Sequence, residues 1–223
     1  MTNTPLLIYC YDAYCGWCYG FSPVIRQLEL QFRSRVQCEV VSGGMLRGET
    51  AMPIDRIAPF IAGSYRQVEE TTGIRFGEDF LWHVRNPQLS DWTLDSTLPA
   101  VALCVFRDYF PDRQIAFATA LQQALYGEGR DLCDVEAYRE LLLRLDIPPE
   151  PFFEKLNEER YRLLAEEDFL LCGRLKVSGF PAVFLQESEQ KLYQLCCGYT
   201  PYETLAGQLE AALERMAAEP ENP

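Results

Sequence analysis

The sequence is short of positive charge, of histidine and of long apolar runs. Its 223 residues hold 20 lysines and arginines against 33 aspartates and glutamates, a formal net charge of −13. A surface of that sign repels phosphate backbones, so nucleic acid is not an expected partner. A basic or unfolded cationic peptide would be better received, although solubility alone accounts for the charge more simply. The single histidine, His83 in LWHVR, offers little to a metal or acid–base centre and reads as an ordinary helix residue. No segment is apolar for long enough to span a bilayer, so no membrane partner is expected either. The opening MTNTPLLIYCYD has no basic n-region, and its apolar run is too short for a secretory signal. The expectation is a soluble, cytoplasmic protein, unless the chain is a processed product.

What is present is a globular composition, 48% hydrophobic and 13% aromatic, with enough length for a sizeable core. Nine cysteines is a high but odd number, and most lie scattered in apolar stretches. Cys38, Cys104 and Cys172 read as small buried hydrophobes, and Cys10 as strand packing. In a reducing compartment all would be free thiols rather than a disulfide framework.

PLLIYCY, residues 5 to 11, is a continuous apolar run and predicts a strand buried on both faces. Val24, Leu28 and Phe32, with Ile25 beside them, recur at helical spacing and predict a helix from about Cys15 to about Arg33. VQCEVVSGG, residues 36 to 44, predicts a second strand ended by a glycine pair. Strand, helix, strand is a βαβ unit with parallel strands. From Leu46 to about Gly173 the patterns are helical, with Asp134 as the cap of a helix through Leu145. FPAVFLQE and KLYQLCCGY then flank a polar SEQ turn and predict an antiparallel hairpin. A last helix follows, with Thr200 as N-cap, Pro201 as first residue and Glu203 closing a capping box. The expected fold is α/β. One sheet is built from residues 1–44 and 173–219, and a helical insertion at 45–172 forms a lid.

YDAYCGWCYGFSP, residues 11 to 23, sets Cys15 and Cys18 at the junction of the first strand and helix. A zinc site needs about four ligands and this pair supplies two. Cys196 and Cys197 are adjacent in a strand, where side chains point to opposite faces, so no metal is expected. A strained vicinal disulfide between them is also disfavoured. Redox chemistry fits better. At a helix start, unpaired N–H groups and the helix dipole favour a thiolate at Cys15. Cys18, one turn on, is placed to attack a mixed disulfide. Pro23 removes one backbone bond from that helix and should kink it. Pro181, at the start of a returning strand, is explained by a cis Phe180–Pro181 bond. Asp12 has two readings, a proton relay to Cys18 and, more simply, a turn residue. Trp17 reads equally as a tuning residue and as a substrate contact.

CGWC after a strand, Pro23 in that register and VSGFP before a hairpin resemble the thioredoxin superfamily, and the helical insertion resembles its DsbA-type branch. YDAYCGWCYGFSP, DSTLPAVAL and LQQALYGEGRDL look like the cytoplasmic DsbA-like (FrnE-type) dithiol oxidoreductases. The resemblance implies a thiol–disulfide oxidoreductase or protein-disulfide isomerase, with Cys15 as nucleophile, Cys18 as resolving thiol and a cis Pro181 facing them. It implies that Trp17, Phe180 and Pro181 meet substrate and that Asp12 and Gly16 tune the pair. No cofactor is expected beyond the cysteines. Partners are protein or peptide thiols and disulfides, with glutathione as a candidate co-substrate, bound in an apolar groove between lid and CGWC turn. Two departures, Trp17 where periplasmic DsbA proteins carry histidine and the missing signal peptide, point to a weaker oxidant. Two other functions share this fold. Kappa-class glutathione transferases and hydroxychromene-carboxylate isomerases generally use a single serine, against which the cysteine pair argues. A protease adaptor or redox sensor would need no catalysis at all.

Overall fold

The computed structural model describes residues 4–188 and 191–218. In chain order the elements are β1 (Leu6–Tyr11), α1 (Gly16–Phe32), β2 (Gln37–Ser42), β3 (Met52–Pro53), α2 (Ile54–Thr72) and α3 (Glu78–Arg85). There follow β4 (Thr93–Leu94), α4 (Thr97–Tyr109), α5 (Gln114–Gln122), α6 (Arg139–Arg144), α7 (Pro149–Leu156) and α8 (Glu159–Arg174). The chain closes with β5 (Ala182–Ser188), β6 (Lys191–Cys197) and α9 (Tyr202–Ala218).

The main sheet runs β2-β1-β5-β6. β1 is parallel to β2, from Leu6 beside Gln37 to Tyr11 beside Ser42, and antiparallel to β5 on its other side. The period of two along β1 sorts its side chains onto two layers. Leu7, Tyr9 and Tyr11 join the main core with Phe21, Ile25 and Leu28 of α1 and Leu205 and Leu209 of α9. Ile8 and Cys10 turn the other way, onto a smaller core with Val41, Phe184 and Cys172 of α8. A strand covered on both faces needs apolar residues throughout, which is why PLLIYCY does not alternate.

β2 is an edge strand, and side chains rather than another strand satisfy its outer edge. Gln114 accepts from the Val40 N–H at 3.2 Å, and Arg107 donates to the Val40 carbonyl. Asp168 accepts from the Ser42 N–H at 3.0 Å and pairs with Arg107 at 2.7 Å. This largely buried ion pair, closed by two parallel charge-assisted bonds, fixes α4 and α8 to the sheet through two main-chain contacts, at Val40 and Ser42.

Several local expectations change. The segment between β2 and β5 contains a short antiparallel pairing, β3 with β4, among its helices. Asp134 does accept from the Glu136 N–H at 3.0 Å, but the turn it caps is 3-10 in form and α6 begins only at Arg139. α5 ends in a π-helical turn, Gln123–Gly127, that no periodicity announces. Thr200 does not cap α9. Its hydroxyl turns back to the Gly198 carbonyl at 3.4 Å, because Gly198 (φ 88°) bends the chain before the helix starts at Tyr202. Residues 189 and 190 of the expected polar turn, and residue 219, lie outside the described residues. No helix among those described is long and apolar enough to cross a membrane.

Candidate active site

Cys15 is the N-cap residue of α1, with extended backbone (φ −91°, ψ 108°). Its carbonyl accepts the N–H groups of Cys18 at 3.0 Å and Tyr19 at 3.1 Å, which closes the first helical turn. Cys15 is 7% exposed, and its thiol donates to the Phe180 carbonyl at 3.5 Å. Cys18, one turn behind, is 0% exposed. Burial, then the hydrogen bond to the Cys15 sulfur, pushes the Cys18 thiol well above the ordinary range, while the Asp12 main-chain N–H pulls it back. Both cysteines are free thiols.

α1 runs unbroken through Pro23. Proline has no N–H for the carbonyl four residues back, that of Tyr19. The Ser22 hydroxyl donates to that same carbonyl at 2.7 Å, so the helix keeps its register close behind the cysteines.

Three strand ends meet around Cys15. The Phe180–Pro181 bond is cis, Pro181 is buried, and its carbonyl accepts from Gly198 N–H at 2.7 Å. Gly43, after β2, donates to the Tyr11 carbonyl at 2.7 Å. A Cβ on Gly43 would lie 2.1 Å from the Phe180 ring, so glycine is what lets that ring lie across the β2 end.

Asp12 is the hub of the turn. It is 1% exposed, and its carboxylate accepts from Tyr14 N–H (3.0 Å), Ser96 hydroxyl (3.0 Å) and Met45 N–H (2.7 Å). Burial raises its carboxyl above the ordinary 3.8, and these hydrogen bonds oppose the rise. Gln122, at the end of α5, clamps the same turn from behind, its amide donating to the Asp12 carbonyl at 3.1 Å and the Cys15 carbonyl at 3.3 Å.

In front of Cys15 lies a cavity of about 390 Å³. Trp17, Ile57, Phe60, Phe76 and Phe180 are among its walls, and among the described residues no charged side chain lines it. Phe60 is 71% exposed at the mouth. A larger, more open depression of about 840 Å³ between β6 and α9 shares no residue with this site. Cys15, Gly16, Trp17 and Phe180 thus share the cavity, while Cys18 and Asp12 stand buried behind it. Sequence reasoning missed Gln122, Ser96, Met45 and Tyr14. For Gln122 a signal exists, since it is a polar residue on the stripe Ala118, Gln122, Tyr126, all buried. His83 does not line the cavity; it stacks on Trp92 with ring centroids 3.8 Å apart. Cys196 is buried and Cys197 exposed, as opposite faces require.

No family model matches the sequence, and no curated protein matches it. Solved structures do match. A candidate protein disulfide isomerase from Nitrosomonas europaea superposes with a TM-score of 0.82 at 24% identity, over 96% of this chain and 99% of that one. The cytosolic disulfide reductase DsbM from Pseudomonas aeruginosa, solved also with glutathione, gives 0.71 at 24% identity, over 94% and 99%. A DsbA oxidoreductase candidate from Streptomyces coelicolor gives 0.65 at 19% identity, over 98% and 92%. At these identities the likeness is one of fold.

Proposed function

We propose that this chain, whose fold is the DsbA-like thioredoxin fold, catalyses thiol–disulfide exchange through Cys15 and Cys18. One observation carries the reading. Cys15 reaches an apolar cavity at the start of a helix, while Cys18 is sealed one turn behind it. That division suits a nucleophile that meets substrate and a resolving thiol that meets only its neighbour. Asp12, Gln122 and Gly16 would hold the turn; Trp17 and Phe180, which line the cavity, would receive the substrate, and Pro181, buried behind it, would hold Phe180 in place.

The uncharged cavity supports an apolar segment of a polypeptide disulfide as substrate. Glutathione, found with DsbM, is the small thiol to test as co-substrate. Trp17 brings no positive charge to Cys15, which supports a reductase or isomerase of the cytoplasm over a strong oxidant. The intact pair speaks against a serine-type glutathione transferase.

Insulin reduction and refolding of a scrambled disulfide protein, with wild type beside Cys15→Ser, test the reading. Wild type should be active in at least one assay and the variant in neither. Cys18→Ala should trap mixed disulfides on Cys15. A wild type inert in both assays, with no trapped adduct, would leave the adaptor or sensor reading in its place.

A further inference from the structure

Tyr9 lies on β1 with its ring 5.9 Å from Phe21 and 5.7 Å from Tyr11. Phe21 follows Cys18 by three residues on α1, the spacing that puts two side chains on one helix face. This packing brings the Tyr9 phenol to the face that carries the buried sulfur. Tyr9 is 2% exposed, and its hydroxyl forms no hydrogen bond among the described residues. The approach to Cys18 is nonetheless close enough that the sulfur, after burial itself, pushes the phenol's ionisation up.

A buried hydroxyl without a partner is costly and rare, and phenylalanine would fill the same space without that cost. The mismatch belongs to the neutral dithiol. A thiol is a weak acceptor, whereas a thiolate is a strong one and draws a donor in. The Asp12 carboxylate is poorly suited to assist, because its oxygens already hold Tyr14, Ser96 and Met45.

We propose that Tyr9 is a catalytic residue of the exchange reaction, its hydroxyl donating a hydrogen bond to the Cys18 sulfur whenever that sulfur carries negative charge. This rests on the exchange reading above. In the reductive direction the Cys15 thiolate attacks a substrate disulfide. A Cys15–substrate bond forms, and the other substrate sulfur leaves as a thiolate, which takes from solvent the proton that Cys15 gave up on ionising. Cys18 then loses its proton and attacks the Cys15 sulfur. The Cys15–Cys18 bond forms, the Cys15–substrate bond breaks, and the proton ends on the departing substrate sulfur. One substrate disulfide is reduced to two thiols, and two cysteine thiols are oxidised to one disulfide. Charge on Cys18 appears only in that second step, in a place water does not reach, where a fixed donor counts most. In the oxidative direction the same hydroxyl meets Cys18 as it leaves. Tyr9 transfers no proton.

Tyr9→Phe keeps the ring and removes the hydroxyl. With the accessible Cys38, Cys133 and Cys197 replaced by serine in every protein compared, Ellman's reagent in stopped flow separates the steps, since attack by Cys15 releases one aryl thiolate and resolution by Cys18 releases the second. The second release should slow about tenfold at neutral pH, its profile moving to higher pH, with the first release unchanged. The thermal midpoint should hold or rise. Tyr11→Phe, which removes the neighbouring unpartnered hydroxyl that faces Asp12 before Cys18, should slow the second release less than Tyr9→Phe does. A second release at the wild-type rate at every pH, or equal slowing of both, would overturn the proposal. If Tyr9→Phe folds poorly, ring-fluorinated tyrosine at position 9 is the second probe. Its stronger donation should speed the second release, and no change would sink the idea. A wild type with no second release removes the exchange reading and this role together; a normal wild type untouched by Tyr9→Phe removes Tyr9 alone.

Discussion

The amide nitrogen of Gln122 lies 3.3 Å from the carbonyl oxygen of Cys15, so a residue 107 positions away holds the main chain of the cysteine turn. The same amide donates to the Asp12 carbonyl, and its own oxygen is buried without a partner. Gln122→Leu should cost about 1–3 kcal/mol of stability, because two carbonyls lose a donor out of reach of water. Insulin reduction should slow with it. Urea unfolding and turbidity assays check this, and wild-type values in both would show that the clamp is idle.

Asp12 makes stability depend on pH. Burial raises its carboxyl above 3.8, so between that value and the raised one the folded chain holds a proton the unfolded chain has lost. Stability therefore falls as pH rises through that window and levels off above it. Asp12→Asn should erase this part of the slope. At neutral pH it should also cost about 1–3 kcal/mol, because an amide NH₂ cannot accept from Met45 N–H. Denaturant midpoints for both proteins across the acid range decide the matter; parallel curves would contradict it.

Gly43→Ala should damage function more than stability. The added methyl would stand 2.1 Å from the Phe180 ring, which must then leave its place beside Cys15. The strain should cost about 1–3 kcal/mol. KM for a peptide disulfide should rise more than kcat falls. An unchanged KM would mean that the Phe180 wall does not meet substrate.

The cysteine turn is legible because all its signals are local: an apolar run, two cysteines and a helical period within about thirty residues. The hairpin and the parallel βαβ unit are legible for the same reason. Ser96 is not, since its meaning comes from Asp12, 84 positions away, and an isolated serine carries no period. Met45 contributes only its main-chain N–H, which every residue but proline has. β3 and β4 are two residues each, too short for alternation to register. The Thr200 capping box has the right letters, but the positive φ at Gly198 turns the chain and moves the helix start past it.

Trp17→His tests the direction of electron flow. Trp17 lines the cavity and packs by Tyr199, ring centroids 6.4 Å apart, and carries no charge. A histidine cation there would favour the charged, reduced pair and make the disulfide a stronger oxidant. A tenfold change in the exchange constant corresponds to about 30 mV, and a rise of that order is expected. Equilibration with glutathione at one pH measures it. A potential that stays put or falls would contradict the assignment of Trp17.

β1 ends at Tyr11, yet its antiparallel partner β5 begins at Ala182, 171 positions later. At a synthesis rate of about 5–20 residues per second, that strand edge waits roughly ten to thirty seconds on the ribosome. Until β5 arrives, one side of β1 is an open template for foreign strands. The Phe180 wall is also missing, so Cys15 and Cys18 face the surrounding thiols and oxidants directly. The nascent chain therefore carries an open edge on β1 that the folded chain does not. It is also the form in which these two sulfurs meet oxidants before the fold that governs them exists.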